Sequence, residues 1–225
     1  MTTVVDNPFF ARVWPVVATH EGEAIRALRR ENLAGVSGRV LEVGAGIGTN
    51  FAHYPDSVDV VIAVEPEPRL AAQARAAAEA VPARVVVIGE TAEAFRGGES
   101  FDAVVCSLVL CSVRDPGDVL RRLYALLRPG GELRYLEHVA SAGARGRFQR
   151  FVDATLWPRL FGNCHTHRDT ERSILDEINA ALHRIDEGTF GKCTACGTAI
   201  AEERLKAIPY APLCVRCARQ AAPVS

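Results

Sequence analysis

The sequence has no apolar run of the roughly 18 residues that a membrane span requires. Its opening, MTTVVDNPFFARVW, has neither the basic stretch nor the apolar core of a signal peptide. The expectation is a soluble chain kept in the cytoplasm, without a membrane span. A charge excess is missing too: 26 Lys and Arg face 27 Asp and Glu, and residues 171–225 carry seven of each sign. Nucleic-acid binding normally shows as a basic excess or a basic face, so no direct binding is expected. There is no internal repeat and no low-complexity linker. Cys106, Cys111 and Cys164 stand singly, which excludes a disulfide framework and fits buried thiols.

What is present is apolar content, 48% over 225 residues, enough for one domain with a core and a small appendage. From Gly38 to Val139, short apolar runs alternate with longer helical patterns, the signature of a parallel sheet. RVLEVG (39–44), VDVVIAVE (58–65), ARVVVIG (83–89), FDAVVCSLVL (101–110) and GELRYLEHV (131–139) read as five strands. Near-continuous apolar strands fit a sheet covered on both faces. PRLAAQARAAAEA is helical by propensity. PGDVLRRLYALLR sets Val119, Leu120, Leu123, Leu126 and Leu127 on one helical face. EGEAIRALRRENLAG reads as a helix closed by Gly35.

LEVGAGIGTN places Gly44, Gly46 and Gly48 at the end of the first strand, where a backbone without side chains can approach a ligand and a helix is expected to begin. Glu65 closes the second strand about 20 residues on, a position from which an acid can bond ribose hydroxyls. Thr49 stands where a dinucleotide fingerprint wants glycine, which tilts the reading away from a dehydrogenase.

LEVGAGIGTNFAHYP, VEPEPRL, FDAVVCSLVLCSV, LLRPGGELRYLEHV and WPRLFGNCHTHRDT, in this order, resemble a class I S-adenosylmethionine-dependent methyltransferase of the type 11 kind, in the small-molecule branch that includes thiol methyltransferases. The resemblance runs from about residue 7 to residue 170. It implies a Rossmann-like α/β sheet in which Glu42, Gly44, Ala45, Gly46 and Gly48 face the methionine part of the cofactor and Glu65 holds the ribose. It places Glu90 or Glu93 near the adenine. Ser107, after strand four, and Glu137 and His138, ending strand five, lie where open α/β sheets bind ligands. His138 and Glu137 are therefore the candidate catalytic residues, His138 as a base near neutral pH. Phe9, Phe10, Trp14 and Trp157 are assigned to the core in preference to a pocket wall. Cys164, His165 and His167 are assigned to a substrate-side loop in preference to a metal site.

Cys193-x2-Cys196, seventeen residues, then Cys214-x2-Cys217 has the spacing of a tetrahedral structural zinc site. The surrounding LDEINAALHRIDEGTFGKC and IAEERLKAIP resemble the zinc finger of the DksA/TraR family, which acts on bacterial RNA polymerase. Polymerase contact is a weak implication, because only the helix adjoining the finger is present and not the coiled-coil hairpin of the long members.

The two resemblances meet near Thr170, expected as a helix N-cap with Ser173 and Asp176 as a capping box. The domains expected are a methyltransferase domain, 1–170, and a zinc finger with a leading helix, 171–225. A complete fold of the first family continues with two more strands, and these are missing. Strand five would be left as a bare edge unless the finger covers it. The function expected is methyl transfer from S-adenosylmethionine to a small acceptor, a thiol or similar, with one structural zinc ion. The alternative is a catalytically silent, polymerase-binding regulator.

Overall fold

The computed structural model describes residues 4–97, 100–207 and 211–220. Five parallel strands, β1 (Gly38–Val43), β2 (Val58–Val64), β3 (Val85–Ile88), β4 (Phe101–Ser107) and β5 (Leu127–Leu136), form one sheet in the order β3-β2-β1-β4-β5. The order reverses between β1 and β4. In a parallel sheet that reversal opens a crevice at the carboxyl ends of the strands.

The apolar runs are continuous because both faces are buried. Leu33, the last residue of α2 (Glu23–Leu33), Val36 after it and Ala74 of α3 (Pro68–Glu79) pack on Val40, Val61, Ala63 and Val105 on one side. On the other, α4 (Pro116–Leu126) lays Val119, Leu120 and Leu123 on Leu41, Ile62, Val104 and Cys106. Each fully buried leucine or valine of this kind stabilises the fold by about 1.5–3 kcal/mol over its exposed state. Asp115 caps α4 by accepting from the Asp118 amide, with Pro116 at the first helical position.

Four local expectations change. Leu127 does not end α4. It turns extended (φ −71°, ψ 141°) and opens β5, since Pro129 ahead of it cannot continue a helix. No α-helix follows the glycine loop. The chain makes one 3-10 turn, Phe51–His53, and Tyr54 goes extended before Pro55, the conformation proline imposes on its predecessor. Asn7 and Pro8 start a helix, α1 (Pro8–Thr19), that the sequence reading left unassigned. The N-cap of α7 (Thr170–Asp186) is Asp169, which accepts from the Arg172 amide, and Thr170 is the first helical residue. The Ser173 side chain of the expected capping box lies outside the described residues.

After β5 come α5 (Gly143–Asp153), α6 (Trp157–Leu160), α7, α8 (Glu202–Ala207) and α9 (Val215–Gln220). Among the described residues no further strand joins the sheet; a single antiparallel bridge, Lys192 to Ala199, lies in the cysteine-rich segment. That segment docks on the β5 side. Helix α8 runs against β5, while α7 and α9 lie against α4. Leu205 and Ala211 pack into the same cluster as Leu120 and Leu123. The cover is partial, since Glu132 and Tyr135 of β5 remain exposed. Among the described residues no helix is long and apolar enough to cross a membrane.

Candidate active site

A cavity of about 710 Å³ opens at the strand-order reversal, within the size range of small-molecule and cofactor sites. Its floor is Val43, Gly44 and Gly46 after β1, Val64 and Glu65 after β2, and Ser107 after β4. A Cβ on Gly44 would lie 2.4 Å from Val109, and one on Gly46 2.9 Å from the Trp14 indole nitrogen. Both residues have positive φ, +70° and +58°, so the loop depends on glycine twice over.

Glu65 is buried and clips the loop in place: Gly46 N–H donates to Oε2 at 2.8 Å and Glu67 N–H to Oε1 at 2.9 Å. Burial raises its carboxyl pKa to about 7, against those two donors. Each oxygen accepts one of these bonds and has capacity for a second, and the residue lines the cavity, so the side chain fits a ligand hydroxyl.

Glu42, Ala45 and Gly48 do not line the cavity. Ala45 is buried, and a Cβ on Gly48 would meet the Phe51 ring at 2.6 Å, so that glycine serves packing. Glu42 lies beneath the loop, accepting from the Tyr54 hydroxyl at 2.8 Å and Asn50 Nδ2 at 3.0 Å. Asn50 in turn donates to Ser107 Oγ at 3.1 Å and accepts from Arg29 at 3.0 Å. Thr91, Ala92 and Glu93 line another part of the cavity wall, and Glu90 does not.

Burial raises the Glu42 carboxyl to about 7. A folded-state pKa above the unfolded value gives stability that is complete below about pH 4.5 and is lost as pH rises through about 7. Glu42→Gln is therefore expected to gain on the wild type by on the order of 2–3 kcal/mol between pH 5 and pH 8, read by urea unfolding at both pH values. An unchanged pH slope would show that Glu42 ionises freely.

Glu137 engages the turn after β4 through one of its carboxylate oxygens, and its Oε2 lies buried outside those bonds. Its Oε1 accepts from Val109 and Leu110 N–H, both at 2.8 Å, and so holds the turn after β4. His138, the next residue, does line the cavity. Beside it stand Cys111 and Cys164, whose sulfurs are 3.6 Å apart. Cys111 is buried, as expected, but at the cavity wall. The Cys111 contact lowers the Cys164 thiol, and Cys164 in turn raises His138. His165 and His167 do not join them: the His165 amide donates to the Cys111 carbonyl, and the His167 ring sits against Arg150.

Phe10, Trp14 and Trp157 form cavity wall and not simple core, while Phe9 is 46% exposed. Trp157 stacks on Phe161 with ring centroids 3.9 Å apart, and Phe10 stacks on Trp14 at 5.6 Å. Asn7 ties the two groups together by donating to the Arg159 carbonyl at 3.0 Å. The Asn7-Pro8 start signal could have revealed α1, but nothing in its spacing says that the helix roofs a cavity.

Away from the cavity, Cys193, Cys196, Cys214 and Cys217 present four sulfurs within 4.8 Å of one another. The Cys193, Cys214 and Cys217 residues are buried and Cys196 is exposed. Gly197 turns behind the first pair with φ +71°. Four thiolates at this spacing fit a closed tetrahedral zinc site.

A family model described as "Methyltransferase domain" matches residues 17–184, and one described as "Prokaryotic dksA/traR C4-type zinc finger" matches 188–221. The mouse thiol S-methyltransferase TMT1B is 37% identical over 152 residues, 64% of this chain and 62% of that protein. This chain thus aligns with less than two thirds of that relative. The RNA polymerase-binding transcription factor DksA of Haemophilus influenzae is 43% identical over 51 residues, 23% of this chain and 35% of that protein. Among solved structures, a methyltransferase-fold protein of Bacillus halodurans superposes with a TM-score of 0.58 at 20% identity, covering 71% of this chain and 69% of that one. The chain belongs to the methyltransferase domain family, with an S-adenosylmethionine-dependent methyltransferase fold and a dksA/traR-type C4 zinc finger docked on the last strand of its sheet.

Proposed function

We propose that the protein transfers the methyl group of S-adenosylmethionine to a small thiol. The observation that carries this reading is a single cavity lined by the glycine loop and Glu65 and also by His138 and the aromatic side chains of Phe10, Trp14, Trp157 and Phe161. Similarity to thiol S-methyltransferases supports the acceptor class.

The cofactor supplies an electrophilic methyl on a sulfonium. The chain's share is placement and exclusion of water. Gly44 and Gly46 let the backbone approach the amino-acid part, Glu65 takes the ribose hydroxyls, and Thr91 to Glu93 flank the adenine. Phe10, Trp14, Trp157 and Phe161 close an apolar end that suits a soft, uncharged acceptor. His138 is the group there able to take a proton.

We assign residues 1–170 to the methyltransferase unit and 171–225 to the finger with its leading helix. Contact of the finger with RNA polymerase is a second reading, supported by the similarity to DksA. The packing of Leu205 and Ala211 into the main core favours a structural role instead.

Titration calorimetry of the zinc-loaded chain should show one site for S-adenosylhomocysteine, and mass spectrometry should show methylation of a small alkyl thiol at the expense of S-adenosylmethionine. Folded protein that binds neither cofactor form would overturn the reading.

A further inference from the structure

Cys111, His138 and Cys164 come from three separate segments, the turn after β4, the end of β5 and the loop after α6, and meet at the cavity wall. One ligand atom from each lies within 4.8 Å of the others. The backbone holds all three segments. His165 N–H donates to the Cys111 carbonyl at 3.0 Å, Cys164 N–H to the Phe161 carbonyl at 3.0 Å, and Glu137 fixes the turn that carries Cys111. Arg168 fastens the same turn by donating to the Leu110 carbonyl at 3.1 Å.

Two sulfurs and an imidazole are a soft donor set suited to zinc. Bonds of about 2.3 Å at a tetrahedral angle separate two zinc-bound sulfurs by about 3.8 Å. The pair here stands at 3.6 Å. The chain carries its own yardstick, since Cys196 and Cys214 of the finger stand at 3.9 Å. Two thiols packed in a core would also touch at such a distance, but they would not need an imidazole beside them or a place on a cavity wall. Among the described residues, this trio and the finger are the two groups with metal-binding geometry.

We propose that Cys111, His138 and Cys164 bind a second zinc ion whose fourth position opens into the cavity and takes the sulfur of a thiol. Three protein ligands with an open position is the arrangement of reactive zinc sites, where four thiolates make the finger a closed one. The metal site stands on its own geometry; the thiol as acceptor rests on the methyl-transfer reading. On coordination the thiol releases its proton to solvent, because His138, held by the metal, no longer serves as the proton acceptor. Its sulfur lone pair then forms the S–CH3 bond as the methyl–sulfonium bond breaks, and that bond's electron pair stays on the departing sulfur. One thioether, one S-adenosylhomocysteine and one proton result, with no redox change.

The test is elemental analysis of the full chain purified from zinc-supplemented medium under reducing conditions. Two zinc ions per chain are expected, falling to one in Cys164→Ser and in His138→Ala with the finger ion retained. After cobalt replacement, 2-mercaptoethanol should shift the visible bands of the wild type but not of Cys164→Ser. One zinc per chain in the wild type overturns the proposal whether or not the variants fold. So does recovery of a Cys111–Cys164 disulfide from protein kept reduced. Calorimetry with S-adenosylhomocysteine separates the two readings: one zinc with intact binding removes the metal site alone, and two zinc ions without binding remove methyl transfer alone.

Discussion

Glu65→Ala is expected to weaken S-adenosylhomocysteine binding by about 100-fold or more, read by calorimetry. Hydrogen bonds to a charged group contribute about 1.5–3 kcal/mol each, and two ribose hydroxyls bring the loss to roughly 3–6 kcal/mol. The carboxylate also accepts from Gly46 and Glu67 amides, so its removal frees the loop that shapes the site. Unfolding is the rival explanation, and pH separates the two. Because burial raises the Glu65 carboxyl to about 7, its charge opposes folding above that pH. At pH 8 the loss of that unfavourable charge offsets part of the two lost backbone bonds, so stability should change little while affinity collapses. Glu65→Gln, which keeps the shape and one acceptor oxygen, should fall between. An affinity within threefold of the wild type for Glu65→Ala would remove Glu65 from the cofactor site.

Glu65 was legible in the sequence because its position is set by chain spacing: a strand, a glycine loop and a second strand leave an acid at one place. The four finger cysteines were legible for the same reason. The central strands β2, β1 and β4 were legible because burial on both faces leaves little polar alternation to confuse their apolar runs. For Glu42, spacing says that it lies near the loop, and only packing says on which side. It accepts from Tyr54 and Asn50 beneath the glycines and never reaches the cavity. Glu137 stands next to His138 as spacing requires, but only packing shows that its Oε1 accepts from the Val109 and Leu110 amides while Oε2 is left outside those bonds. The sequence offers His138 as a candidate base and Cys164 as part of a substrate-side loop, but nothing in it joins them to Cys111, since 53 residues separate the two cysteines and only the fold brings the three together.

Cys193→Ser with Cys214→Ser is expected to lower the melting temperature of the whole chain by 10 °C or more on the order-of-magnitude scale of structural zinc, and not merely to unfold an appendage. Zinc contributes roughly 10–16 kcal/mol to folding in small fingers of this type, so its loss leaves the cysteine-rich segment without a core of its own. Cys193, Ile200, Cys214 and Cys217 are that core, with few other side chains to replace them. What makes the effect reach the sheet is where the finger sits. Leu205 and Ala211 pack with Leu120, Leu123 and Phe101, and α8 lies against β5. Release of the finger would expose this apolar surface and strip cover from an edge strand whose unpaired groups invite association with other chains. The carboxyl end of β5 also leads into Glu137 and His138, so the loosening should pass into the cavity and weaken S-adenosylhomocysteine binding about tenfold. Calorimetry should therefore show one cooperative transition in the wild type and a single earlier one in the double variant, with aggregation on heating. Two transitions in the wild type, with the upper one unmoved by the substitutions, would mean that the finger is an independent module carried on a complete enzyme.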